Sequence, residues 1–310
     1  MNSLTNKDKY RAFCETRDDI PIFSEPWWLD AVCVDGDWDV CLAGKGGIIQ
    51  GAMPFYQTTL KGLHVIKMPL LTPYLGVQIF AQPQEEKAVD EQKITLELIL
   101  QIPKAAYIQQ LHHPNYSNWL PYYWAGFKQT TMYTYLLNIK NTDIVYLGFR
   151  KNLKRNLKKA SKELTCQSSN DLELFYKINK ATFERQKMDI PYSYNFLKNL
   201  DINLEKHNRR KIFITTDKDN TPLAVGYFVW DHQAAYYLAG GHSGNREAMS
   251  WTMWHAIQFF SNKVQVFDFE GSMVKNIAHF FSGFGATPTP YHHIFKGKNK
   301  IIDILKILKS

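Results

Sequence analysis

Residues 211–230 read KIFITTDKDNTPLAVGYFVW. Two strand-like runs, residues 211–216 and 223–230, flank the polar tetrad Asp217-Lys218-Asp219-Asn220, so the segment predicts an antiparallel hairpin. Downstream, residues 234–239 predict a third antiparallel strand, 246–261 a helix, 264–270 a strand, 275–282 a helix and 291–296 a last strand. Upstream, residues 171–187 carry the periodicity of a long amphipathic helix. A strand hairpin followed by alternating helices and strands defines a mixed α/β fold whose sheet is largely antiparallel.

The first half of the chain has a similar grammar. Residues 38–43 and 48–57 read as strands joined by Gly44-Lys45-Gly46-Gly47; residues 89–101 have helical periodicity, and 105–112 and 130–139 read as strands. Ser24 is the expected N-cap of a helix opening with Pro26, Trp27, Trp28 and Leu29. Residues 38–55 and 211–228 are each strand, polar turn and strand with a glycine near a phenylalanine, and YWAGF (123–127) echoes FFSGF (280–284). The expectation is a duplicated unit, with domains at 1–145 and 146–310.

At 310 residues, 45% hydrophobic and 14% aromatic, the chain has material for two folded domains and is not a disordered one. Residues 1–10 are polar and lack the apolar core of a secretory signal, and no stretch approaches the ~18 apolar residues of a spanning helix. A cytoplasmic protein is expected, with membrane contact only peripheral. Cys14, Cys33, Cys41 and Cys166 show no C-x-x-C spacing and read as reduced core thiols. His112-His113 and His292-His293 are adjacent pairs on strands, pointing to opposite faces, so no metal site is expected.

The net charge of +8 is concentrated. Of 37 basic residues, seven fall between Arg150 and Lys162 with no acid among them, leaving 30 against 29 acids elsewhere. Within this segment Leu153, Leu157 and Ala160 recur at helical spacing, giving a basic helix with a narrow apolar stripe. Arg150, Lys151, Lys154, Arg155, Lys158 and Lys159 are candidate contacts for phosphate on tRNA, a phosphate-bearing precursor or anionic lipid, or else simply a solvated face. Residues 300–309 alternate Ile and Leu with lysine at helical spacing, predicting a docking helix or a membrane-surface segment.

From residue 146 to 295 the order of motifs resembles the acetyltransferase-like domain of the Fem-type aminoacyltransferases. The residues that carry it are Phe149-Arg150-Lys151-Asn152-Leu153, then Phe183-Glu184-Arg185-Gln186 and Tyr236-Tyr237-Leu238-Ala239-Gly240-Gly241. They continue with Phe267-Asp268-Phe269-Glu270-Gly271-Ser272-Met273, Ile277-Ala278-His279-Phe280-Phe281 and Phe284-Gly285-Ala286. The first half resembles the same family more loosely, through residues 24–29 and Leu71-Thr72-Pro73-Tyr74-Leu75-Gly76.

The resemblance implies a tandem GNAT-like (acyl-CoA N-acyltransferase) fold. It also implies transfer of an aminoacyl or acyl group to an amine of a cell-envelope or polysaccharide precursor, with no permanently bound cofactor and aminoacyl-tRNA or acyl-CoA as co-substrate. The loop that holds pyrophosphate in acetyl-CoA enzymes of this fold corresponds here to Gly240-Gly241-His242-Ser243-Gly244-Asn245-Arg246-Glu247-Ala248. Its spacing differs and Glu247 opposes phosphate, which favours aminoacyl-tRNA over coenzyme A. An acyl-CoA-dependent enzyme and a catalytically silent nucleic-acid or membrane binder are the alternatives.

Acyl transfer to an amine needs a path for the amine proton and donors for the oxyanion. On a strand over 264–270, Asp268 and Glu270 share a face, and two carboxylates there are costly unless used or paired. Glu270 is the candidate base, with Asp268 beside it; His242 is a candidate proton shuttle. Arg185, Tyr237, Lys275 and Tyr291 are candidate substrate contacts. Ser272 is a substrate contact or the cap of the helix near Lys275.

Overall fold

A computed structural model describes residues 4–80, 90–271 and 273–297; the predicted segment 300–309 lies outside them. The chain forms two compact units, Met1–Met132 with Pro290–Ser310, and Tyr133–Thr289.

The first unit begins with helices α1 (Asn6–Glu15) and α2 (Pro26–Val32). Strands β1 (Asp37–Lys45), β2 (Ile48–Leu60), β3 (Leu63–Lys67) and the short β4 (Gln78–Ile79) follow. Next are α3 (Glu91–Gln101), β5 (Tyr107–Leu111), α4 (Leu120–Trp124) and β6 (Lys128–Asn138), which runs on into the second unit. The N-cap of α2 is Glu25, not Ser24, because Pro26 takes the first helical position, where its missing N–H costs nothing.

The second unit continues with α5 (Thr142–Gly148), α6 (Lys151–Glu163), β7 (Thr165–Ser169), α7 (Leu172–Arg185) and α8 (Tyr194–Lys206). Strands β8 (Arg210–Thr216), β9 (Pro222–Trp230) and β10 (Ala234–His242) form the meander that residues 211–239 predict. It is followed by α9 (Arg246–Phe260), β11 (Val266–Asp268) and α10 (Lys275–Ser282). Strand β12 (Thr287–Gly297) closes the described chain and belongs, from Pro290 on, to the first unit.

In the first unit β1, β2 and β3 pair antiparallel, β3 pairs parallel with β5, and β5 pairs antiparallel with β12. In the second, β7, β8, β9 and β10 pair antiparallel in turn, β10 pairs parallel with β11, and β11 pairs antiparallel with β6. From β8 on, the second order matches the first strand for strand: a meander, a helical crossover into a parallel neighbour, then an antiparallel strand. The division between units falls at Met132/Tyr133 rather than after residue 145, and the C-terminal strand returns to the first unit. The cause is the ladder from His293↔Leu111 to Gly297↔Tyr107, which ties β12 to β5.

Each unit has its own core. In the first, Met53, Phe55, Ile66, Leu98 and Tyr122 cluster; in the second, Phe228, Ala235, Met253, Phe260, Phe267, Phe269 and Phe284 do. Leu153, Leu157 and Ala160 are the buried residues of α6, as their spacing predicts. All four cysteines are free; burial pushes Cys14 and Cys41 up to about 12.

Candidate active site

The sheet of the second unit parts at one place. β10 and β11 run parallel through Ala234↔Val266, Ala235↔Phe267 and Tyr236↔Asp268, where the pairing ends. β10 goes on to His242, and a bulge there takes Leu238 out of its ladder with β9. Phe269 still donates its N–H to the Tyr135 carbonyl of β6 at 3.0 Å.

The strand expected over 264–270 is therefore shorter, and alternation does not carry through Glu270. Its backbone is in the left-handed region, φ +49°, which re-aims its side chain. The next residue explains why the chain is held there. A Cβ on Gly271 would meet the Tyr133 carbonyl oxygen at 1.6 Å, so only glycine lets this loop lie against β6.

Asp268 is 1% exposed. Its Oδ1 accepts the Thr134 hydroxyl of β6 and, at 2.8 Å, the N–H of Glu270. These two donors satisfy a buried carboxylate and pin the turn. Glu270 is different: its Oε1 is buried with no hydrogen-bond partner among the described residues. Burial first, and the Asp268 charge second, hold its carboxyl well above the ordinary value of 4.5.

Tyr237, next along β10, has its hydroxyl pushed up by burial and then by the Glu270 charge. The ring packs on Phe228 and Phe281, and its hydroxyl lies over Gly240, where a Cβ would approach it to 2.3 Å. On α7, Asn179 donates to the Gly240 carbonyl at 2.6 Å and accepts the Tyr192 hydroxyl at 2.7 Å. Asn179 stands on the stripe Leu172, Phe175, Asn179, Thr182, so a polar residue on a buried helix face is the signal that marks it. Thr134 carries no such signal, since its partner comes from a distant segment.

The structure brings Asp268, Glu270 and Tyr237 together. It does not bring His242 to them. Tyr236 pairs with Asp268, and six residues of extended strand beyond it amount to roughly 20 Å. His242 Nδ1 accepts the Gly244 N–H at 3.0 Å, and its own N–H reaches Thr182 Oγ1 at 3.1 Å. Arg185 donates to the His242 carbonyl and to Thr182 Oγ1, tying the end of α7 to the end of β10. It borders an open groove of about 530 Å³ with Lys177, Ile178, Ala181, Glu184 and Ser243. Lys275 is exposed at the start of α10, whose N-cap is Val274 with no side-chain bond; Ser272 lies outside the described residues. Tyr291 is in the first unit, edge-on to Tyr74 at 5.3 Å.

The start of α9 is occupied by the chain itself. Asn245 caps it through the Ala248 N–H at 3.0 Å, and Glu247 in the first turn pairs with Lys159 of α6 at 3.1 Å. Lys159, one of the candidate phosphate contacts, is thereby engaged in an ion pair. Lys154 donates to the Leu147 carbonyl at 2.8 Å, and the Arg150 guanidinium sits 3.1 Å from His279. Lys151, Arg155 and Lys158 are exposed.

Residues 148–275 match the family model described as acetyltransferase (GNAT) domain. The whole chain is similar in structure to FemX (TM-score 0.68, 13% identity, covering 94% of this chain and 96% of that one). It is also similar to a C-terminal domain named for a lysylphosphatidylglycerol synthetase of Agrobacterium fabrum (0.59, 11%, 97% and 95%). A third is a tandem GNAT protein from the clavulanic acid biosynthesis pathway (0.53, 9%, 94% and 93%). Among curated proteins none matches the sequence. Residues 148–275 thus resemble a GNAT acetyltransferase domain, and the chain has the tandem GNAT fold that it shares with FemX.

Proposed function

We propose that the protein transfers an aminoacyl or acyl group to an amine, with Glu270 as the proton acceptor. The observation that carries this reading is the buried Glu270 Oε1, without a hydrogen-bond partner among the described residues, at the parting of β10 and β11 inside the GNAT-matched segment. A carboxylate whose pKa is raised by burial is a better base near neutral pH than an exposed one. The amine nitrogen attacks the carbonyl carbon of the donor. The new C–N bond forms as the ester or thioester bond breaks, the amine proton passes to Glu270, and the leaving oxygen or sulfur takes up a proton. Asp268 does not take the proton; it holds the Glu270 backbone in place.

The donor we favour is an aminoacyl-tRNA and the acceptor an amine of a cell-envelope precursor, in the manner suggested by likeness to FemX and the lysylphosphatidylglycerol synthetase domain. Support comes from the start of α9. Its cap is filled by Asn245 and a carboxylate stands in its first turn, an arrangement unsuited to the pyrophosphate of coenzyme A. A transfer assay with charged tRNA, acetyl-CoA and longer acyl-CoAs, each against an amine acceptor panel, tests this. Turnover with charged tRNA alone is expected; turnover with acyl-CoA alone moves the protein to the coenzyme-A class, and turnover with no donor sinks the reading.

A further inference from the structure

We infer that α5, the first turns of α6 and the start of α10 form one face that docks on an anionic lipid bilayer. On α5, Ile144 and Leu147 are one turn apart and 66% and 73% exposed. At the start of α10, Met273 and Val274 are 60% and 57% exposed, and Ile277 follows them on the surface. Single exposed aliphatic residues need no explanation, but a pair on α5 and three at the start of α10, on two helices bridged by a cation, invite one.

The segments adjoin through named contacts. Arg150, the N-cap of α6, donates its N–H to the Gly283 carbonyl at the C-terminal end of α10, at 3.0 Å. Its guanidinium lies back along that helix against His279 in its last turn. Lys154 reaches back to the Leu147 carbonyl of α5. Cations therefore border the aliphatic patch, and Lys151, Arg155 and Lys158 extend the positive field along α6 with no ion pair among the described residues.

This combination selects among polyanions. Nucleic acid rewards the cations and also aromatic platforms for bases. It gains nothing from exposed Ile, Leu, Val and Met side chains. A bilayer rewards both parts, since aliphatic side chains enter the acyl boundary while lysine and arginine meet anionic headgroups. The patch begins at Met273, just downstream of Glu270 and Gly271, so the docked protein presents its site beside the interface.

Co-sedimentation with vesicles tests the face. The parent is expected to bind vesicles of phosphatidylcholine and phosphatidylglycerol in equal parts, to ignore phosphatidylcholine alone, and to lose binding as salt rises. The variant K151A/R155A/K158A should bind the mixed vesicles about 100-fold more weakly, at about fivefold for each cation removed. Ile144→Ser with Leu147→Ser should also weaken vesicle binding, while bulk tRNA binding and transfer to a soluble amine stay at parent levels. Glu270→Gln should bind vesicles as the parent does, which separates this inference from the transfer chemistry. If the parent ignores anionic vesicles, or the Ile144/Leu147 variant binds them undiminished, the inference is wrong. If K151A/R155A/K158A loses tRNA binding but keeps vesicle binding, the face belongs to nucleic acid instead and the inference is equally overturned.

Discussion

Glu270 combines a buried carboxylate oxygen with a left-handed backbone, and each has a measurable consequence. Because the folded pKa is raised, the native state binds the proton more tightly than the unfolded chain does. Its contribution to stability is present below the ordinary value of 4.5 and is lost as pH rises toward the raised value. Glu270→Gln should therefore stabilise the fold at neutral pH by roughly 1–3 kcal/mol, the usual cost of an unpaired buried polar group. Below pH 4.5 the gain should vanish. Denaturant titrations at the two pH values check this, and a difference independent of pH would remove the buried-carboxylate account. Asp268→Ala works in the other direction. It strips an acceptor from the Thr134 hydroxyl and the Glu270 N–H, costing on the order of 2–4 kcal/mol and displacing Glu270. A variant as stable and active as the parent would show that Asp268 holds nothing. At this scale the Asp268–Glu270 pair is legible as two carboxylates closing an apolar strand. What the sequence does not reveal is that one is satisfied and the other is not, because the satisfying Thr134 lies on β6.

β10 and α7 are the elements that shape the site, and glycine is what lets them approach. A Cβ on Gly241 would meet Thr182 Oγ1 at 2.5 Å and the Ile178 carbonyl at 2.8 Å. The second contact is backbone and does not yield, so Gly241→Ala should cost roughly 1–3 kcal/mol by overpacking and lower the melting temperature by several degrees. An unchanged melting temperature would mean α7 moves freely on the strand. The meander at 211–239 follows its sequence pattern closely because alternation and turn signals coincide there, and helix α10 follows its period alone, without a side-chain cap. Helix α1 does not announce itself: its residues are mostly polar, and it rests on a Thr5–Asp8 capping box and the buried Tyr10 and Cys14. Helix α8 has a legible signature, a Ser193 cap and buried Phe196, Leu197, Leu200 and Leu204, that is easily passed over after the long α7. Strand β7 has no apolar alternation and exists because it pairs with β8.

For the molecule as a whole, the weak echo between residues 38–55 and 211–228 has a structural counterpart in the matching strand orders. The return of β12 to the first unit was beyond any local pattern, since it is decided by ladder partners far apart in sequence. Truncation before Pro290 should leave the β5 edge unpaired, and hydrogen exchange should show lost protection at residues 107–111. Protection equal to that of the intact chain would contradict the assignment of β12 to that unit. The central claim is that one site, in the GNAT-matched unit, moves an acyl group with Glu270 as base. Its most direct test is the pH dependence of turnover for the parent and Glu270→Gln with the productive donor. The parent rate should rise with pH through a midpoint above the ordinary glutamate value of 4.5. Glu270→Gln should lose that limb and roughly 10²-fold in turnover, with donor affinity unchanged. A variant that keeps the parent's rate and pH profile would contradict the claim.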